Sequence, residues 1–86
     1  GSHKQTMIEV DTRDRLGLLY DITNTLFQNQ IIIRSAVIAT YGEQAVDTFY
    51  VNDLFGEKIT SSQKLEQVRK ELLFYLDKHF KKALKN

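Results

Sequence analysis

The sequence predicts an α+β domain: one antiparallel sheet with two helices on one face. Two observations carry that prediction. Three short runs alternate apolar and polar residues or are β-branched, as strands do, and two stretches place apolar residues at steps of three and four, as helices do. Their order along the chain is strand, helix, strand, strand, helix. With 86 residues the chain is long enough for one domain with a modest core. No proline, repeat or low-complexity stretch divides it. Gly1-Ser2-His3 reads as the scar of a cleaved tag, which leaves residues 4–86 as a single domain, a fragment of something longer.

Met7 to Asp11 forms the first predicted strand, with Ile8 and Val10 on one face and Glu9 and Asp11 on the other. The segment from Asp11 to Leu19 turns this strand into a helix. It carries charges, then Gly17, then the first apolar residues of an amphipathic run. Asp14 is a candidate N-cap. Leu18, Leu19, Ile22 and Leu26 make the stripe that seeks a core, with Phe27 on the flank, and Asn29-Gln30 ends the helix. Ile31 to Thr40 is β-branched and apolar, Tyr41-Gly42-Glu43-Gln44 is a turn, and Ala45 to Asp53 is the next strand, so the pair is expected to form an antiparallel hairpin. Phe49 and Val51 share one face; Val46, Thr48 and Tyr50 share the other. Neither face is fully polar, so one is expected to meet the helices and the other a second protomer or domain. After a turn at residues 52–58, Thr60 to Gln63 reads as a capping box. Leu65, Val68, Leu72, Leu76, Phe80 and Ala83 then follow at helical steps, with Lys78, Lys81, Lys82 and Lys85 complementing the helix dipole. The order is five-sixths of a βαββαβ ferredoxin-like unit, and the fourth strand is missing.

Composition excludes several functions. Net charge is +1, which encodes no strong pull toward nucleic acid or a membrane surface. Adjacent aromatics at Phe49 and Tyr50 lack the basic, glycine-bearing context of an RNA-binding sheet. The absence of cysteine removes disulfides and thiolate metal sites and fits a cytoplasmic location. No apolar run approaches the roughly 18 residues of a membrane span, and no signal peptide is visible. No His/Cys/carboxylate constellation and no phosphate-cradling glycine loop appears, so catalysis is not expected, and His79 has no acid or nucleophile to work with. What remains is the helix start. Its first backbone N–H groups lack intrahelical partners and sit at the positive end of the dipole, so the turn can hold a small anion such as an amino-acid carboxylate.

Four segments carry a family resemblance. They are Ile8-Glu9-Val10 running into Asp14-Arg15-Leu16-Gly17-Leu18-Leu19-Tyr20-Asp21-Ile22; Ile33-Arg34-Ser35-Ala36; Ile38-Ala39-Thr40-Tyr41-Gly42-Glu43; and Ala45-Val46-Asp47-Thr48-Phe49-Tyr50-Val51 through Asp53. Together they resemble an ACT domain, and more narrowly the C-terminal ACT domain of the bacterial bifunctional uridylyltransferase/uridylyl-removing enzymes, which modify the nitrogen-regulatory PII protein. Leu16 stands where that family usually has proline, which leaves the turn softer. The missing fourth strand agrees with the resemblance, since those domains similarly stop after their second helix. It also leaves the first strand as a bare edge, expected to be covered by a strand of a preceding tandem ACT domain or of a partner chain.

The resemblance implies a regulatory module that binds an amino acid, glutamine, and shifts distant catalytic domains between PII uridylylation and its reversal. The transferase chemistry and its magnesium belong to the parent; this fragment is expected to be catalytically silent and to hold no cofactor. The implied ligand residues are Asp11, Asp14, Arg15, Leu16, Gly17, Leu18 and Leu19: Gly17 permits close approach, the N–H groups of Leu18 and Leu19 receive a carboxylate, and Asp11 or Asp14 holds an ammonium group. Ile33, Arg34 and Ser35 are implied to complete the pocket of a neighbouring domain or homodimer partner. Plainer roles stand beside these. Asp14 can cap the helix, Gly17 can serve packing, Arg15 can be solvated, Tyr41 can be a turn-edge aromatic rather than a lid, and Asp47, in period with Phe49 and Val51, can be a part-buried carboxylate paired with a backbone N–H. The competing function is an ACT-type docking or dimerisation module with no small-molecule ligand.

Overall fold

The computed structural model describes residues 4–85, with side chains described through Leu76. Its elements are β1 (Thr6–Arg13), α1 (Leu18–Gln28), β2 (Ile32–Tyr41), β3 (Gln44–Asn52) and α2 (Ser62–Lys85). The three strands form one antiparallel sheet in the order β1-β3-β2. Among the described residues this is the βαββα arrangement of a ferredoxin-like fold without a fourth strand.

Strand alternation decides which face the helices cover. On β3, Ala45, Asp47, Phe49 and Val51 are buried, while Val46, Thr48 and Tyr50 are half-buried on the opposite face. Register carries the same face across to Val10 and Ile8 of β1, opposite Asp47 and Phe49, and to Ile38 and Ala36 of β2, opposite the same two residues. The core closes when Leu18, Ile22 and Leu26 of α1 and Val68 and Leu72 of α2 pack with Val10, Phe49 and Val51. Leu19, part of the predicted stripe, is exposed instead, and Thr25 and Asn29 are buried in its place. Leu65 and Leu76 pack at the core's margin. Phe80, Ala83, His79 and the lysine cluster lie outside the residues whose side chains are described.

Polar side chains tie the elements together. The Thr6 hydroxyl donates to the Ile59 carbonyl (2.9 Å) and accepts the Ile59 N–H (2.8 Å), which fastens the segment before α2 to β1. Asn29 Nδ2 donates to the Thr25 carbonyl (2.8 Å) and to Glu71 Oε1 (3.1 Å), which joins the end of α1 to α2. Asp53 Oδ1 accepts the N–H groups of Phe55 and Glu57, both at 2.9 Å, and so folds the turn after β3.

Boundaries differ from expectation where hydrogen bonds extend or replace a pattern. β1 runs from Thr6 to Arg13 because Arg13 pairs with Gln44 and Thr6 with Val51. The hairpin ladder persists to Tyr41–Gln44, which leaves Gly42-Glu43 as its tip; Gly42 has φ +63°. The α2 cap is Ser61, whose Oγ accepts the Lys64 N–H at 3.2 Å; the capping box anchored on Thr60 does not form. A register shift between Ile33 and Ser35 marks a bulge at Arg34. Among the described residues, no helix is long and apolar enough to cross a membrane.

Candidate ligand site at the start of the first helix

The segment between β1 and α1 is held by its own backbone. The Asp14 N–H donates to the Glu43 carbonyl (2.7 Å), so the loop leans on the hairpin tip. The Leu18 N–H donates to the Arg15 carbonyl (3.2 Å), which closes a turn around Leu16 and Gly17. Gly17 occupies the N-cap position at φ +79°, where no side chain caps the helix. The expected cap at Asp14 is therefore corrected. The Arg15–Leu18 turn interposes residues between Asp14 and the helix, and the position it leaves for the cap needs a left-handed residue.

Arg15 locks the same loop from its side chain. Its guanidinium donates to Asp21 Oδ2 at 2.6 Å and to the Leu16 carbonyl at 3.1 Å. Asp21 in turn lies in the first turn of α1, where the helix dipole favours a carboxylate. Since the Leu18 N–H is committed to Arg15, the groups that open toward solvent at the helix start are the N–H groups of Leu19 and Tyr20. Neither has a hydrogen-bond partner among the described residues.

Leu19 and Tyr20 are among the residues that line a cavity of about 230 Å³. Residues 14–20 form one wall, and Ile38, Thr40, Ala45 and Asp47 form the other. Drug-sized pockets start at roughly 300 Å³, so this one suits a small molecule. Asp14, Arg15, Leu16, Gly17, Leu18 and Leu19 are thus brought together. Asp11 is not among the lining residues: it points to the opposite sheet face, where Gln44 Nε2 donates to it at 2.5 Å. Ile33 also lies elsewhere, with Phe27, Ile31 and Ile32 in a second depression farther along α1, while Arg34 and Ser35 sit at the bulge beside it. Tyr20 borders both depressions. The cavity residues not predicted to touch a ligand are Tyr20, Ile38, Thr40, Ala45 and Asp47, and Asp47 does pair with a backbone N–H, that of Ala39. Only Asp47 carried a signal, a charge in period with Phe49 and Val51 on the apolar face.

Along this side of the molecule the surface is apolar. Leu16 is fully exposed, Tyr20 and Phe27 expose about 70 % of their surface, and Ile38 of β2 exposes half. β2 has no strand on its outer edge. Tyr41 is an exposed aromatic at the hairpin's end and does not line the cavity. Among the described residues no cluster of three His, Cys, Asp or Glu side chains could hold a metal ion.

A model of the ACR family N-terminal ACT domain matches residues 1–77. The chain belongs to the ACT-domain family. That model describes the first ACT domain of its family, whereas the resemblance above is to the last ACT domain of an enzyme; both lie within one fold. The ACT domain is also 60 % identical over 72 residues to the bifunctional uridylyltransferase/uridylyl-removing enzyme of Cereibacter sphaeroides, 53 % over 75 residues to that of Azospirillum brasilense and 50 % over 76 residues to that of Zymomonas mobilis. These matches cover 84 %, 87 % and 88 % of this chain and 8 % of each relative. The chain thus spans about one-twelfth of the length of the curated relatives it matches.

Proposed function

We propose that this ACT domain senses an amino acid, glutamine, as the C-terminal regulatory domain of a bacterial cytoplasmic enzyme that uridylylates the PII protein and removes the uridylyl group. The observation that carries the reading is the 230 Å³ cavity between the β1–α1 loop and the hairpin, lined by Leu19 and Tyr20, whose backbone N–H groups have no hydrogen-bond partner among the described residues. A carboxylate fits that helix end, and the cavity's size suits a free amino acid. Identity to the uridylyl enzymes over most of this chain supports the parent assignment. Ligand binding then acts by differential affinity: glutamine favours one arrangement of the ACT domain against its neighbours, and the parent's transferase and hydrolase domains respond to that shift.

Thermal unfolding with each amino acid in turn tests this. A ligand at about a hundred times its dissociation constant adds about 2.7 kcal/mol. For a domain this size each kcal/mol is worth roughly 4–8 °C, so the shift is large. A rise with glutamine and none with glutamate supports glutamine sensing; no rise with any amino acid sinks it.

A second reading, docking without a ligand, is favoured by the exposed apolar strip along α1 and β2. On this reading the strip and the open β2 edge receive a neighbouring ACT domain or a second copy. Sedimentation of Phe27→Lys separates the two: under docking alone the substitution abolishes self-association and no amino acid alters the native chain's melting.

A further inference from the structure

Asp47 is out of place as a purely structural residue. It sits in the middle of the helix-facing sheet surface, flanked across the strands by Val10 and Ile38 and along β3 by Ala45 and Phe49. Only 2 % of it is exposed. A carboxylate there loses its hydration and needs compensation. The protein supplies one contact: Oδ1 accepts the Ala39 N–H at 3.3 Å, a long bond. Among the described residues no fully buried side-chain nitrogen or oxygen lacks a partner, and Asp47 has no other, so Oδ2 is not fully buried; Asp47 is one of the residues that line the cavity.

Among the described residues no cation is paired with it. Arg15 is the one basic side chain lining the cavity, and its guanidinium is held by Asp21. The other carboxylates expected to receive an ammonium group are less suited. Asp11 faces the far side of the sheet, and Asp14 is exposed, where water screens its charge. A metal ion would need further oxygen ligands, and no such cluster exists among the described residues.

We infer that Asp47 binds the ammonium group of the ligand, so that the cavity reads a zwitterion, with Asp47 Oδ2 facing the ammonium and the Leu19 and Tyr20 N–H groups facing the carboxylate. The inference rests on the amino-acid reading above and deepens it. The cavity then discriminates by charge pattern. An α-amino acid satisfies both the helix end and the buried carboxylate. A simple carboxylic acid satisfies only the helix end, and leaves Asp47 buried without a counter-charge.

Calorimetry on the 86-residue chain tests the assignment with three ligand pairs. Each pair is an amino acid and the same molecule without its ammonium group: L-glutamine with 4-carbamoylbutanoate, L-glutamate with glutarate, and L-leucine with 4-methylpentanoate. The expected result is that the binding amino acid loses at least about tenfold in affinity when its ammonium group is removed, as a lost charge-assisted hydrogen bond requires. Asp47→Asn keeps the shape and the Ala39 contact but removes the charge; it is expected to bind the two members of the pair equally. Equal binding of both members by the native chain overturns the Asp47 assignment alone, and needs no variant to fold. Undiminished binding of the amino acid by a folded Asp47→Asn does the same. If the native chain binds none of the three amino acids, the sensing reading fails and the role of Asp47 fails with it.

Discussion

At Gly17 a single backbone angle sets the shape of the ligand loop. Its φ of +79° is one that L side chains rarely adopt, yet a methyl group there would meet only Arg15 Nη1 at an ordinary 3.7 Å. The cost of Gly17→Ala is therefore conformational rather than steric. Strain of about 1–2 kcal/mol, less the entropy removed from the unfolded chain, leaves a net loss of about 1 kcal/mol, read as a lower urea midpoint. Thr6 carries a different kind of load. Thr6→Val keeps the volume but strips the buried Ile59 N–H and carbonyl of their partner, which is expected to cost about 1–3 kcal/mol by denaturant unfolding. Sequence reading saw Gly17 as special and Asp47 as a charge on an apolar face. It misplaced the cap at Asp14 because a short acidic residue before an apolar run is what an N-cap looks like. The backbone bond from Asp14 to Glu43, which draws that residue toward the hairpin, has no local signature.

Among the elements, α2 shows how surface and core faces separate on one helix. Glu66 and Arg69 are fork-bonded on the outer face at 2.7 and 2.9 Å. The Arg69 hydrogen bond, with smaller help from its charge and that of Lys70, holds the Glu66 carboxyl below its ordinary 4.5 against the desolvation that raises it. A carboxyl depressed in the folded state favours folding above its unfolded value, and that contribution fades as pH falls through the lowered one. Both side chains are in water, so the effect on stability is slight. NMR titration is expected to give Glu66 a value below ordinary glutamate, and Arg69→Ala to restore it. The elements themselves were legible because apolar periodicity is strong in all five. Their ends were not, since both ladders run on to Gln44, pairing it with Arg13 and with Tyr41, and neither Arg13 nor Gln44 announces a strand, while Ser61 and Thr60 are both capping types. The bulge at Arg34 had no glycine to announce it.

On the scale of the whole molecule, the cavity is the part that sequence could least reveal. It is assembled from residues 14–20 with Ile38, Thr40, Ala45 and Asp47, which meet because the hairpin register sets Ile38 opposite Asp47 and the Asp14 bond draws the loop to the hairpin tip. The sheet order places β3 at the centre. That position has a kinetic consequence. β3 spends its backbone on two neighbours, whereas β1 and β2 each have one, so every second amide of the outer strands faces away from the sheet. In deuterated water the β3 amides are expected to exchange only when the chain unfolds globally, and the outward amides of β1 and β2 within minutes of transfer. Binding of another strand at either edge slows exchange at alternate positions of that edge alone, so the isotope pattern would report which side of the sheet a partner occupies.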